Sequence, residues 1–170
     1  MKAKLIVNNK EIEVEISEEE LNKLKTKQKK KTGYERVDKK SSYYFIDSTG
    51  NIDEYDEDDY YDCGDAYYEC ANYYSSKEVA ENNARADKLM WQLRRFAVEH
   101  RKKEIDLSNF NKRVHYICYD HINGCLNIAG NNTYQTYGTI YFDSEENAQL
   151  AIRTFRDELI WYFTEYKDSL

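Results

Sequence analysis

Polar and apolar residues alternate through residues 2–16 (KAKLIVNNKEIEVEI) on both sides of Asn8 and Asn9. That is the period of two half-buried strands around a turn dipeptide, and a β-hairpin is expected. Ser17 then precedes Glu18, Glu19 and Glu20, so Ser17 and Glu20 have capping-box spacing, with acids where a helix dipole favours them. The helix expected there runs through Leu21 and Leu24 into KTKQKKK. Farther along, SYYFIDSTGNIDEY (42–55) reads as strand, turn at Ser48, Thr49, Gly50 and Asn51, and strand. VHYICYDHINGCLNI (114–128) repeats the plan with its turn at Ile122, Asn123 and Gly124.

Each hairpin leads to a short aromatic strand and a capped helix. CANYYSSKEVAENNA (70–84) and GTIYFDSEENAQLA (138–151) align without gaps, placing Tyr73, Tyr74, Ser76 and Ala80 on Tyr141, Phe142, Ser144 and Ala148. Ser75 with Glu78 and Asp143 with Glu146 have capping-box spacing. Helical periodicity links Val79, Ala86, Leu89, Met90, Leu93 and Phe96 in one half, and Ala148, Ile152, Phe155, Leu159 and Phe163 in the other. The expected fold is α+β: an N-terminal β-hairpin and helix, followed by two pseudo-repeated β-β-β-α modules with antiparallel sheets. The expected boundaries are 1–40 for the hairpin and basic helix, 41–100 for the first module, 101–113 for a connector and 114–170 for the second module.

Composition sharpens this picture through its distribution. The chain has 170 residues, 17 of them tyrosine, no proline and a formal charge of -7. Residues 22–40 carry nine bases against two acids, whereas residues 47–69 carry ten acids and no base. Nine tyrosines fall between Tyr43 and Tyr74, more aromatic surface than a merely solvated loop requires. No apolar run approaches the roughly 18 residues of a membrane span, and the first residues lack the apolar core of a signal peptide. A cytoplasmic protein without membrane contact is expected.

Several patterns carry candidate chemistry. In the tract DEYDEDDYYDCGDAYYE (53–69), the acids Asp53, Glu54, Asp56, Glu57, Asp58 and Asp59 alternate with Tyr55, Tyr60 and Tyr61. Carboxylates spaced in this way present a negative stripe to a protein groove built for nucleic acid, with phenol rings as anchors. Against that stands a solvated loop. Cys63, Cys70, Cys118 and Cys125 read as ordinary thiols or, alternatively, as one structural zinc site, with His121 as an alternative ligand. Their spacing is wider than a usual zinc knuckle, which favours the thiols. The lysine-rich stretch 23–31 (Lys23, Lys25, Lys27, Lys29, Lys30 and Lys31) is either a solvated helix end or a contact to nucleic-acid phosphates. No nucleophile elbow, phosphate-binding glycine loop, metalloprotease helix or dinucleotide fingerprint occurs. A non-enzymatic protein is therefore expected, with an enzyme acting on a nucleotide as the remaining alternative because tyrosine-rich pockets can stack bases.

The phrases MKAKLIVNNKEIEVEISEEEL, TGYERVDKKSSYYFIDSTGNI and ANYYSSKEVAE together resemble small proteins of phages and mobile elements of Firmicutes, across most of the chain. Small acidic phage proteins of this look include anti-CRISPR inhibitors of type II systems. The resemblance implies an anti-defence protein in the host cytoplasm whose partner is a CRISPR effector nuclease or its guide-RNA complex. The acidic, tyrosine-rich surface is expected to block DNA loading there. The alternative is a phage nucleic-acid-binding accessory protein using the basic helix and the aromatic sheet. The cysteines are not part of the resembling phrases.

Overall fold

The computed structural model describes residues 2–7, 10–15, 17, 31–57, 63–109, 112–131 and 134–166. The chain divides into two compact units, Met1–Glu35 and Arg36–Leu170. In the first unit, β1 (Lys2–Val7) and β2 (Lys10–Glu15) form the expected antiparallel hairpin, with Leu5 opposite Ile12 and Ala3 opposite Val14. The helix expected after Ser17 lies outside the described residues, as do Lys23, Lys25, Lys27, Lys29 and Lys30; Lys31 is exposed.

The second unit contains β3 (Ser42–Ile46), β4 (Ile52–Asp56), α1 (Cys63–Glu69), α2 (Lys77–Glu99), β5 (Val114–Asp120), β6 (Cys125–Asn131), α3 (Glu145–Thr154) and α4 (Arg156–Thr164). It is a mixed α+β unit with two antiparallel two-stranded sheets, β3–β4 and β5–β6. The first hairpin turns because the Asp47 carboxylate accepts the backbone N–H groups of Thr49 and Asn51, both at 2.8 Å, as Gly50 takes a φ of 87°. These bonds hold the Asp47 carboxyl below its ordinary range. In the second hairpin Asp120 plays the same part toward Ile122 and Asn123.

The third strand expected in each module is reduced to a single bridge. Tyr74 pairs with Tyr44 and Phe142 with His115, and neither extends into a strand among the described residues. The following helices begin one residue later than the expected caps. Ser144 is the N-cap of α3 and its hydroxyl accepts the Asn147 N–H, while Ser76 caps α2 without a side-chain bond. Asp143 is occupied elsewhere: one oxygen accepts the backbone N–H groups of Lys102 and Lys103 at 2.7 and 2.8 Å. The second helical stretch breaks at Phe155, which ends α3 and caps α4.

The second compact unit begins at Arg36, and residues of 36–40 contact the first hairpin. Val37 packs on Tyr43, Phe45 and Tyr73, and the Lys40 N–H donates to Glu57 O. Leu89, Leu93, Phe96 and Ala97 of α2 share one core with Phe142, Ala148, Ala151, Ile152 and Leu159 of the second half. Burying the leucine, isoleucine and phenylalanine side chains among them contributes about 1.5–3 kcal/mol each, which couples the halves. No helix among the described residues is long and apolar enough to cross a membrane.

Candidate interaction surface

Cross-strand partners share a face of a sheet, and alternate residues return to it. Tyr43 pairs with Tyr55 and Phe45 with Asp53, so these four lie on one face of the first hairpin. Tyr43 and Phe45 are buried there against Tyr73, with Tyr67 of α1 packed over them. The Tyr43 ring stacks on Tyr73 at 4.3 Å and Phe45 on Tyr67 at 4.1 Å. Burial pushes the Tyr43 and Tyr73 phenols up to about 12.

This aromatic layer supports β4, which pairs only with β3 among the described residues. Asp53, Glu54 and Asp56 are exposed along that edge. Tyr55 is 52% exposed while its ring still touches the layer, 5.0 Å from Phe45. Four of the acidic-tract residues singled out from the sequence therefore form one exposed strand. Asp58, Asp59, Tyr60 and Tyr61 lie outside the described residues.

Glu57 departs from the expectation of a surface acid. It is 7% exposed, with one carboxylate oxygen accepting Arg36 Nε at 2.8 Å and the other accepting the Tyr73 hydroxyl at 2.9 Å. Arg36 also pairs with Asp65 of α1, and both carboxylates raise its already high pKa. Gly64 closes the arrangement: a Cβ there would come 2.9 Å from a Glu57 oxygen. Glu57 is thus consumed in holding α1 against the hairpin and offers no free charge to a partner. A buried carboxylate is tolerable only with such partners. The reciprocal arginine stands 21 residues away, and no spacing rule in the sequence links the two.

The cysteines do not converge. Cys63 opens α1, Cys70 follows it, and both are exposed. Cys118 pairs with Asn127 and Cys125 with Asp120, which makes the two thiols diagonal neighbours on one face of the second hairpin. Burial pushes the Cys118 thiol up, the direction opposite to metal-ligand activation. His121, in the turn, lies edge-on to the Tyr119 ring at 5.0 Å. Among the described residues no group of three or more His, Cys, Asp or Glu side chains is placed to hold a metal ion.

No family model matches the sequence, and neither a curated protein nor a solved structure is significantly similar to it.

Proposed function

We propose that the chain is a non-enzymatic binding protein that offers the acidic edge of β4 to a positively charged groove of a nucleic-acid-handling protein. The observation that carries this reading is the run Asp53, Glu54, Tyr55, Asp56, exposed on an edge strand, with Glu54 and Asp56 on the face away from the buried rings and Asp53 and Tyr55 on the ring face. A strand rises about 3.3 Å per residue, so Glu54 and Asp56 stand about 6.6 Å apart on one face, near the span of two successive charges at the roughly 3.4 Å of axis per charge on one strand of a duplex. Tyr55 supplies contact area at the centre of the run.

RNA-guided nucleases hold guide and target in such positive channels. With the resemblance to phage inhibitors, this makes a type II effector or its guide-RNA complex the specific partner, and occupation of its DNA-loading channel the mode of action. The test is the variant Asp53→Asn, Glu54→Gln, Asp56→Asn, titrated against effector–guide complex at physiological salt. At least a tenfold loss of affinity and of cleavage inhibition is expected; unchanged binding by the folded variant sinks the proposal.

The two halves are further read as one duplicated unit of hairpin, bridging aromatic and serine-capped helix. The register supports this reading: Tyr74 and Phe142 make the bridges, Ser76 and Ser144 are the caps, and the same gapless alignment relates both pairs. An experimental structure in which these segments fail to superpose would remove it.

A further inference from the structure

The end of α2, the segment after it and the loop before Tyr141 line an open groove of about 530 Å³. Val98, Ile105 and Leu107 give it apolar lining, and Thr139 also lines it. Two arginines also line it, Arg94 on α2 and Arg101 just beyond the helix-capping His100. Arg36, Arg85 and Arg95 of the same unit each have a carboxylate partner. Neither Arg94 nor Arg101 makes a hydrogen bond or a close ion pair among the described residues, and Arg94 interacts with Asp87 of α2 only as a charge.

The backbone beneath this cleft is fixed. Asn147 donates to His100 O and to Asp143 at 2.7 Å, and Asp143 in turn accepts the Lys102 and Lys103 N–H groups. Arg101 is therefore presented from a turn pinned on one side by α2 and on the other by α3. Within a chain of net charge -7, the two guanidinium groups put positive charge beside a half-apolar groove. Ligand clefts commonly enclose roughly 300–1,000 Å³, with apolar walls and a few placed polar groups.

We propose that this cleft binds a small organic phosphate, its phosphate oxygens shared between Arg94 and Arg101 and its flat or apolar body resting on Val98, Ile105 and Leu107. A carboxylate offers two oxygens, which one guanidinium fork can saturate; a terminal phosphate offers three and can engage both forks. The apolar wall gives a bare inorganic ion nothing to bury, so the ester is the better ligand.

Calorimetric titration of the full chain tests this with adenosine monophosphate and phenyl phosphate, set against adenosine and inorganic phosphate alone. At least one ester is expected to bind at least about tenfold more tightly than either isolated half. The double variant Arg94→Gln, Arg101→Gln should weaken that ester by about tenfold or more without moving the melting temperature, since both side chains are exposed. Arg101→Lys, which keeps the charge but loses the fork, should fall between the two. The proposal is overturned if neither ester binds at millimolar concentration, if inorganic phosphate binds as well as the esters, or if the folded double variant binds unchanged.

Discussion

The two hairpins of the larger unit share an antiparallel plan and an aspartate-held turn, yet their surfaces are finished differently. In the first, Tyr43 and Phe45 are sealed beneath α1 and ringed by Tyr55, Tyr67 and Tyr73. In the second, Ile117, Leu126 and Ile128 face the shared core, while the other side leaves Cys125 and Asn127 exposed and Tyr116 and Ala129 half-buried. The first hairpin therefore has a local core of its own, and the second draws its stability from the helices it shares. In the acidic segment of the first, Arg36 pairs with Glu57 and Asp65 together.

The sharpest way to break this comparison is to remove one ring from each hairpin. Phe45→Ala takes away a side chain that is 4% exposed and is expected to cost about 3–5 kcal/mol in urea unfolding. Tyr116→Ala, on the open face, is expected to cost about 1 kcal/mol. Equal losses would mean that α1 contributes no separate core.

The charged clamp comes next in size. Glu57→Ala leaves the Tyr73 hydroxyl without its acceptor and Arg36 with Asp65 alone. A fully buried pair broken in this way costs about 3–5 kcal/mol; because Arg36 is half-exposed, about 2 kcal/mol is expected. Glu54→Ala, two strand positions before Asp56 on the exposed edge, should stay within about 0.5 kcal/mol. A double-mutant cycle of Glu57→Ala with Arg36→Ala should show coupling between the two sites, and additive losses would show that the contact carries no stability.

The same layer gives the first hairpin an alkaline signature. The folded phenols of Tyr43 and Tyr73 are pushed up to about 12 by burial, whereas an unfolded tyrosine titrates near 10. The folded state thus holds more protons above pH 10, and stability falls as pH rises. Stability from this source should be complete below about pH 10 and lost progressively toward pH 12, seen as a falling melting temperature. Tyr73→Phe should shallow that fall; an identical slope would remove Tyr73 as its source.

Much of this architecture is legible in the residue pattern, for reasons that also mark where legibility stops. Hairpins at 42–56 and 114–131 follow from alternation and from turn residues with a local mechanism, Asp47 with Gly50 and Asp120 with Asn123. The α2 stripe follows from helical period, with Ala86, Leu89, Leu93 and Phe96 buried as expected. Helix α1 is hidden because its acids mimic a solvated run. Its stability lies in Tyr67 stacking on Phe45 and in Asp65 pairing with Arg36, contacts between residues far apart in the chain. The inward turn of Glu57 has the same origin. On the surface side, Asp53, Glu54, Tyr55 and Asp56 were accessible to pattern reading because an exposed strand needs no distant partner. The Arg94 and Arg101 cleft was not, since two isolated arginines seven positions apart acquire meaning only when the loop before Tyr141 folds across them.

The smallest expected change in stability separates two reasons for an acidic edge on β4. Charges on an edge strand discourage pairing with a second chain, whatever else they do. Neutralising Asp53, Glu54 and Asp56 as Asn, Gln and Asn should alter unfolding free energy by no more than about 0.5 kcal/mol per site, because all three are exposed and Asn at 56 still offers an acceptor for the Ser42 hydroxyl. If the acids serve only to protect the edge, the variant should self-associate in light scattering while its hold on a basic partner is unchanged. If they form the recognition surface, binding should fall even at concentrations where the variant remains monodisperse. Tyr55→Ala refines this outcome, since it removes the proposed anchor without changing the charge of the edge, and a loss of affinity in that variant cannot be attributed to electrostatic steering.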